Sequence, residues 1–139
     1  MLRVVPDTNI LISAFMTEGN EYRLMEKGFK KEVLLITSLA IIEEFKEVAL
    51  RPRFCFAKED IDDFIDVLLE VSELVIPAQR ITGICRDPDD EKLLEAAEEG
   101  KANYVASGDK DLLSLRSFRG IKIVTAAELL QGAEKLGRR

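Results

Sequence analysis

The chain has 139 residues, 47% of them hydrophobic and 33% charged, with a formal net charge of −6; this is the composition of one globular domain over residues 1–139 with a core of its own, not of a disordered or fibrous chain. With no histidine and only two cysteines, Cys55 and Cys85, at no metal-ligand spacing, histidine-based catalysis and the common zinc sites are excluded. The acidic balance argues against a broad electrostatic grip on nucleic acid, though not against a local site where cations supply the positive charge; no apolar run reaches a membrane span, and the N-terminus lacks a signal-peptide pattern, so the expected location is cytoplasmic.

Five aliphatic runs read as strands in chain order: Leu2 to Val5, Val33 to Thr37, Leu74 to Pro77, Tyr104 to Ser107 and Ile121 to Thr125. Several are apolar almost throughout, as strands covered on both faces must be. Helical patterns lie between them. One runs from a cap at Thr8 or Asn9 to about Met16, and a second from Asn20 to Phe29. Ser38 caps a third, which reaches Leu50 before "RPRF" breaks it. Lys58 to Ser72, Asp87 to Glu99, a short helix after Asp109, and Glu128 to Leu136 complete the set. Strands alternating with helices imply an α/β sandwich around a mainly parallel sheet. In such sheets sites form at the carboxyl ends of strands, near a topological switch point.

Four acidic positions fall where that rule points. Asp7 follows the first strand and Asp109 the fourth; each also reads as an ordinary helix cap. In the helix after the second strand, Ile41, Ile42, Phe45, Val48 and Ala49 make one apolar stripe at about 100° per residue. Glu43 lies opposite the stripe, on the solvated face, whereas Glu44 lies on its flank and can reach a cleft. In "DPDDEKLLEAAEEG", Asp87 and Pro88 read as cap and first helical residue, and acids in a first turn suit the helix dipole, which accounts for Asp87, Asp89 and Glu91. Asp90 is harder to account for in this way. It stands at i, i+4 and i+7 with Leu94 and Ala97, on the inward face, where an unpaired carboxylate is costly. If the first strand lies beside the fourth, Asp7, Glu44, Asp90 and Asp109 converge on one crevice and repel one another unless cations neutralise them. Oxygen ligands alone suit a hard cation such as Mg²⁺ or Mn²⁺, and such ions support phosphodiester cleavage without histidine.

The ordered set "DTN", the Glu44 helix, "DPDDE" and "SGDKD" resembles the PIN-domain ribonucleases, and more narrowly the prokaryotic PIN proteins classed as toxins of toxin–antitoxin systems. The likeness covers essentially the whole chain, including "EEFKEVALRPRF" and "GIKIVTAAELL". It implies a three-layer α/β/α fold with a five-stranded, mainly parallel sheet in the order 3-2-1-4-5. It also implies Mg²⁺- or Mn²⁺-dependent endoribonuclease activity, a homodimer, and a small antitoxin protein as partner. Carried over by position, Asp7, Glu44, Asp90 and Asp109 are the acidic metal-binding and catalytic set. Thr8, Asn9 and Ser107 would hold carboxylates or water by hydrogen bonds, with Asp111 as an outer member. Pro6 departs from the aliphatic residue usual there and predicts that the first strand leaves the sheet early; Ser107 replaces the commoner threonine.

Substrate would be held by local cations, for which Arg51, Arg53, Lys58, Arg86 and Lys110 are candidates, although each also reads as solvated surface. A receiver-like phosphoacceptor would need an acid at the end of the third strand, where "VIPAQ" has none. A dehalogenase-type phosphatase would need a second aspartate at the place of Asn9. A flap-type DNA nuclease shares the acid geometry but would bring a helical arch. A non-catalytic RNA- or protein-binding module on the same fold is the rival of a different class.

Overall fold

The computed structural model describes residues 1–137, and for residues 133–137 the backbone alone. The aliphatic runs become strands β1 (Arg3–Pro6), β2 (Leu34–Thr37), β3 (Ser72–Leu74), β4 (Tyr104–Ala106), β5 (Ser117–Phe118) and β6 (Ile121–Val124). Between them lie helices α1 (Thr8–Met16), α2 (Asn20–Phe29), α3 (Leu39–Ala49), α4 (Lys58–Val71), α5 (Glu91–Glu99), α6 (Lys110–Ser114) and α7 (Ala126–Gly137). One sheet has the order β3-β2-β1-β4-β6-β5, parallel except for the β5–β6 pair.

The predicted order 3-2-1-4-5 is therefore present, with one short strand added at the edge. That strand escaped the sequence reading because two residues carry no period. Its hairpin turn does carry a signal: Arg119 and Gly120 both have positive φ, 49° and 83°, as a two-residue turn matching strand twist requires. The third strand is also displaced from the expected Leu74–Pro77. Pairing begins at Ser72, the C-cap of α4, and ends with the Val75 amide donating to Thr37 at 2.9 Å. Two residues on, Pro77 has no donor to offer.

The chain moves outward from β1 to β2 to β3, then returns across the sheet to β4. Because parallel crossovers are right-handed, this reversal places α5 on the face opposite α1 and α2. Accordingly α5 packs on β1, β2 and β4, while α2 packs against α1 and α7. Two close approaches set the layer spacing: a Cβ on Gly28 would overlap the Leu35 side chain, and one on Gly100 would come within 2.7 Å of Ile36 Cγ2. The core runs through both interfaces, with Val5, Leu35, Ile36, Phe45, Leu94 and Val105 fully buried. No helix among the described residues is long and apolar enough to cross a membrane.

Candidate active site

At the switch point, beyond the carboxyl ends of β1 and β4, lies a crevice of about 180 Å³ lined by six carboxylates: Asp7, Glu44, Asp87, Asp90, Asp109 and Asp111. Pro6 shapes its mouth. Along β1 the even residues face β2, as in the bond from Leu34 N to Leu2 O, and the odd residues face β4, as in Asp7 N to Ala106 O at 2.9 Å. The donor that proline lacks therefore points to β2. Pairing with β2 stops at Val4, whereas pairing with β4 continues through Pro6. The predicted early departure is thus one-sided, and it opens the sheet beside Asp7.

Asp7 is buried, at 4% exposure. Its Oδ1 accepts from the Ile10 amide at 2.7 Å, so Asp7 itself is the N-cap of α1. The expectation of a cap at Thr8 or Asn9 is corrected: the helix begins one residue earlier, and capping does not remove Asp7 from the crevice. Burial raises its carboxyl to about 6; bonds from the Ser107 hydroxyl and the Ile10 amide pull it down, and the charges of Asp109 and Glu44 push it further up. Ser107 also accepts from the Asp109 amide at 3.0 Å and so couples the β1 and β4 acids. Thr8 holds no carboxylate here, since its buried hydroxyl oxygen has no hydrogen-bond partner among the described residues. Asn9 lines the crevice and is exposed.

Asp109 repeats the pattern of Asp7, capping α6 through Leu112 N at 3.1 Å. Asp90 differs. The predicted helix from Asp87 to Glu99 starts as a 3-10 turn, Pro88–Asp90, and α5 proper begins at Glu91. Asp87 caps that turn through Asp89 N at 3.0 Å, but Asp90 makes no side-chain cap bond. Its carboxyl is raised to about 6, first by burial and then by repulsion from Asp87, Asp109, Asp7 and Glu44. Glu43 is exposed and Glu44 half-buried, as the helix-face argument required. Glu44 is ion-paired with Lys92 of α5, a contact the sequence reading did not anticipate. Asp87, assigned there to capping alone, both caps and lines the crevice.

The largest revision concerns Glu91. Expected only to complement the helix dipole in the first turn, it is 6% exposed, and its Oε2 accepts from the amides of Ile84 at 2.8 Å and Cys85 at 3.3 Å. One and two turns along α5, Glu95 accepts from Ile81 N and Glu99 from Ala78 N, each at 2.8 Å. Three glutamates four residues apart thus bind the irregular segment between β3 and the Asp87 turn along one helix face. The spacing was visible in the sequence, but its amide partners were not, because loop donors leave no periodic trace. Glu91→Ala is expected to destabilise the protein by about 1 kcal/mol, since two part-buried amides lose their acceptor; urea unfolding with an unchanged m-value checks this.

The candidate cations are scattered. Arg86 reaches Asp111 at 3.5 Å with 82% of its side chain exposed, and Lys110 is exposed beside Asp109. Arg51, Arg53 and Lys58 are exposed and line no part of the crevice; Arg53 lies over the Phe54 ring. Arg51 is seven residues beyond Glu44, roughly 10 Å along the helix axis. Of these five, only Arg86 and Lys110 adjoin the acids.

A divalent cation fits this donor set in kind. All the side-chain ligands are oxygen, two carboxyls are raised by burial and by neighbouring carboxylates, and the Thr8 hydroxyl oxygen beside them has no partner among the described residues. Among the described residues, no three acidic or thiol side chains stand close enough to enclose an ion together, so ligation requires rotation of partly buried carboxylates such as Asp90 toward Asp7.

Comparison with known proteins agrees with this geometry. The chain is 30% identical over 146 residues to the uncharacterized protein MJ1680 of Methanocaldococcus jannaschii, covering 96% of this chain and 93% of that protein. The family model described as PIN domain matches residues 3–111, a span from β1 through Asp111 that contains every acid of the crevice. The chain belongs to the PIN-domain family, whose members are generally nucleases and usually use divalent metals.

Proposed function

We propose that the protein is a Mg²⁺- or Mn²⁺-dependent endoribonuclease, a phosphodiester hydrolase. The observation that carries this reading is the convergence of Asp7, Glu44, Asp90 and Asp109 in one crevice at the switch point of a PIN-type sheet. When bound there, a divalent cation supplies an acidified water and positive charge at the leaving oxygen. Asp7 and Asp90 hold the cation. Ser107 orients Asp7 and fixes the turn that carries Asp109. Arg86 and Lys110, at the edge of the acids, contact substrate phosphates and offset the repulsion that an acidic crevice exerts on RNA. Aromatic residues are only 6% of the chain, so stacking on bases contributes little to recognition.

The motif order further supports a role as the toxin of a toxin–antitoxin pair, acting in the cytoplasm as a homodimer restrained by a small antitoxin that covers the crevice. Single-stranded RNA incubated with the protein is expected to be cleaved internally with Mn²⁺ or Mg²⁺ and left intact in EDTA. A parallel flap-DNA substrate separates the ribonuclease from a DNA nuclease. Cleavage that continues in EDTA would overturn the metal-dependent reading.

A further inference from the structure

Lys92 is unusual among the cations near the crevice. Its side chain is 20% exposed, that of its partner Glu44 is 30% exposed, and the two form an ion pair that joins α5 to α3 across 48 residues of sequence. Arg86, by comparison, is exposed and reaches only the outer Asp111. Like Asp109, Glu44 is an acid whose charge acts on both Asp7 and Asp90. The carboxylate that could complete a ligand set is therefore already occupied by an internal cation two residues from Asp90.

We propose that Lys92 is a positioning residue, holding the Glu44 carboxylate out of the inner ligand set of a divalent cation bound by Asp7, Asp90 and Asp109, and thereby limiting how tightly that cation is held. The proposal rests on the metal-dependent reading above and deepens it. Its physical basis is competition. An ammonium and a divalent cation cannot both take full advantage of one carboxylate, and a fixed positive charge beside the site repels the arriving ion. The same pairing neutralises part of the acidic cluster in the metal-free protein, where no other partly buried cation among the described residues contacts it. A lysine with a merely structural role would behave in the opposite way, since losing it would loosen the site and weaken metal binding.

The test is a calorimetric Mn²⁺ titration, with free Mn²⁺ followed by electron paramagnetic resonance, on the wild type, Lys92→Met, Lys92→Gln, Glu44→Gln and the double variant Lys92→Met/Glu44→Gln. Both Lys92 variants are expected to bind Mn²⁺ roughly tenfold more tightly and, free of metal, to melt at lower temperature. Glu44→Gln alone should change affinity less than about threefold, and the double variant should lose most of the gain. Equal or weaker binding in both Lys92 variants would overturn the proposal, as would a gain that survives in the double variant, because Glu44 would then not be what Lys92 holds. Absence of Mn²⁺ binding by the wild type overturns the underlying metal reading as well, so the two failures are distinguishable.

Discussion

Asp7→Asn and Asp90→Asn are each expected to reduce metal-dependent RNA cleavage by at least about a hundredfold, since each removes an anionic ligand from a site whose chemistry depends on the bound charge. The asparagine variants suit the test because they separate ligation from folding. Asp7 caps α1 through Ile10 N, and asparagine caps about as well as aspartate. Asp90 makes no cap bond at all. Both variants also relieve repulsion among the crevice acids, so each should melt no lower than the wild type in the absence of metal. Gel analysis of a labelled single-stranded RNA, beside thermal melts of the same preparations, gives both readings. Full cleavage by either variant would remove that residue from the site.

The metal-free protein should lose stability as pH rises from 5 to 7.5, the reverse of ordinary acid denaturation. In the folded chain burial raises Asp7 to about 6, against an ordinary value near 4, and burial together with the neighbouring acids does the same for Asp90. Between about pH 4 and 6 the folded state therefore keeps protons that the unfolded chain has released, and stability falls as those protons leave. The stabilisation is complete below the unfolded value and gone above the folded one. For Asp7 the change from pH 5 to 7.5 is on the order of 1 kcal/mol, a fall in Tm of a few degrees. Asp90, more exposed, adds to it in the same direction. With no histidine in the chain, no imidazole titrates in this window to obscure the effect. Asp7→Asn should flatten the pH dependence, and millimolar Mg²⁺ should raise Tm at pH 7.5 more than at pH 5, because the ion binds the ionised carboxylates. A Tm that is constant across the window, or a dependence unaltered in Asp7→Asn, would contradict the environment described for Asp7.

Much of this site could be read from residue order because burial is periodic. Glu44 separates from Glu43 by helix face alone, and Asp90 stands out because Leu94 and Ala97, both fully buried, share its face. Strand and helix alternation follows from the same local rule, since each element advertises its covered side through apolar spacing. The chain order of the acids was likewise sufficient to suggest the family, because each sits at the start of an element where a short polar side chain is cheap.

Other features depended on which atoms the fold brings together. The choice of Asp7 over Thr8 or Asn9 as the cap of α1, the one-sidedness of the break at Pro6, and the short β5 edge all depend on backbone direction, to which side-chain spacing is blind. Glu91 read as a first-turn acid suited to the helix dipole and Glu95 and Glu99 carried no assigned role; only the loop laid along α5 turned all three into acceptors for four amides. Lys92 had no visible role until α3 and α5 met. Composition and period thus determined what each segment must bury. Tertiary structure alone decided which polar group each carboxylate meets, because hydrogen bonds and ion pairs are set by distances of a few ångströms between residues that can lie far apart along the chain.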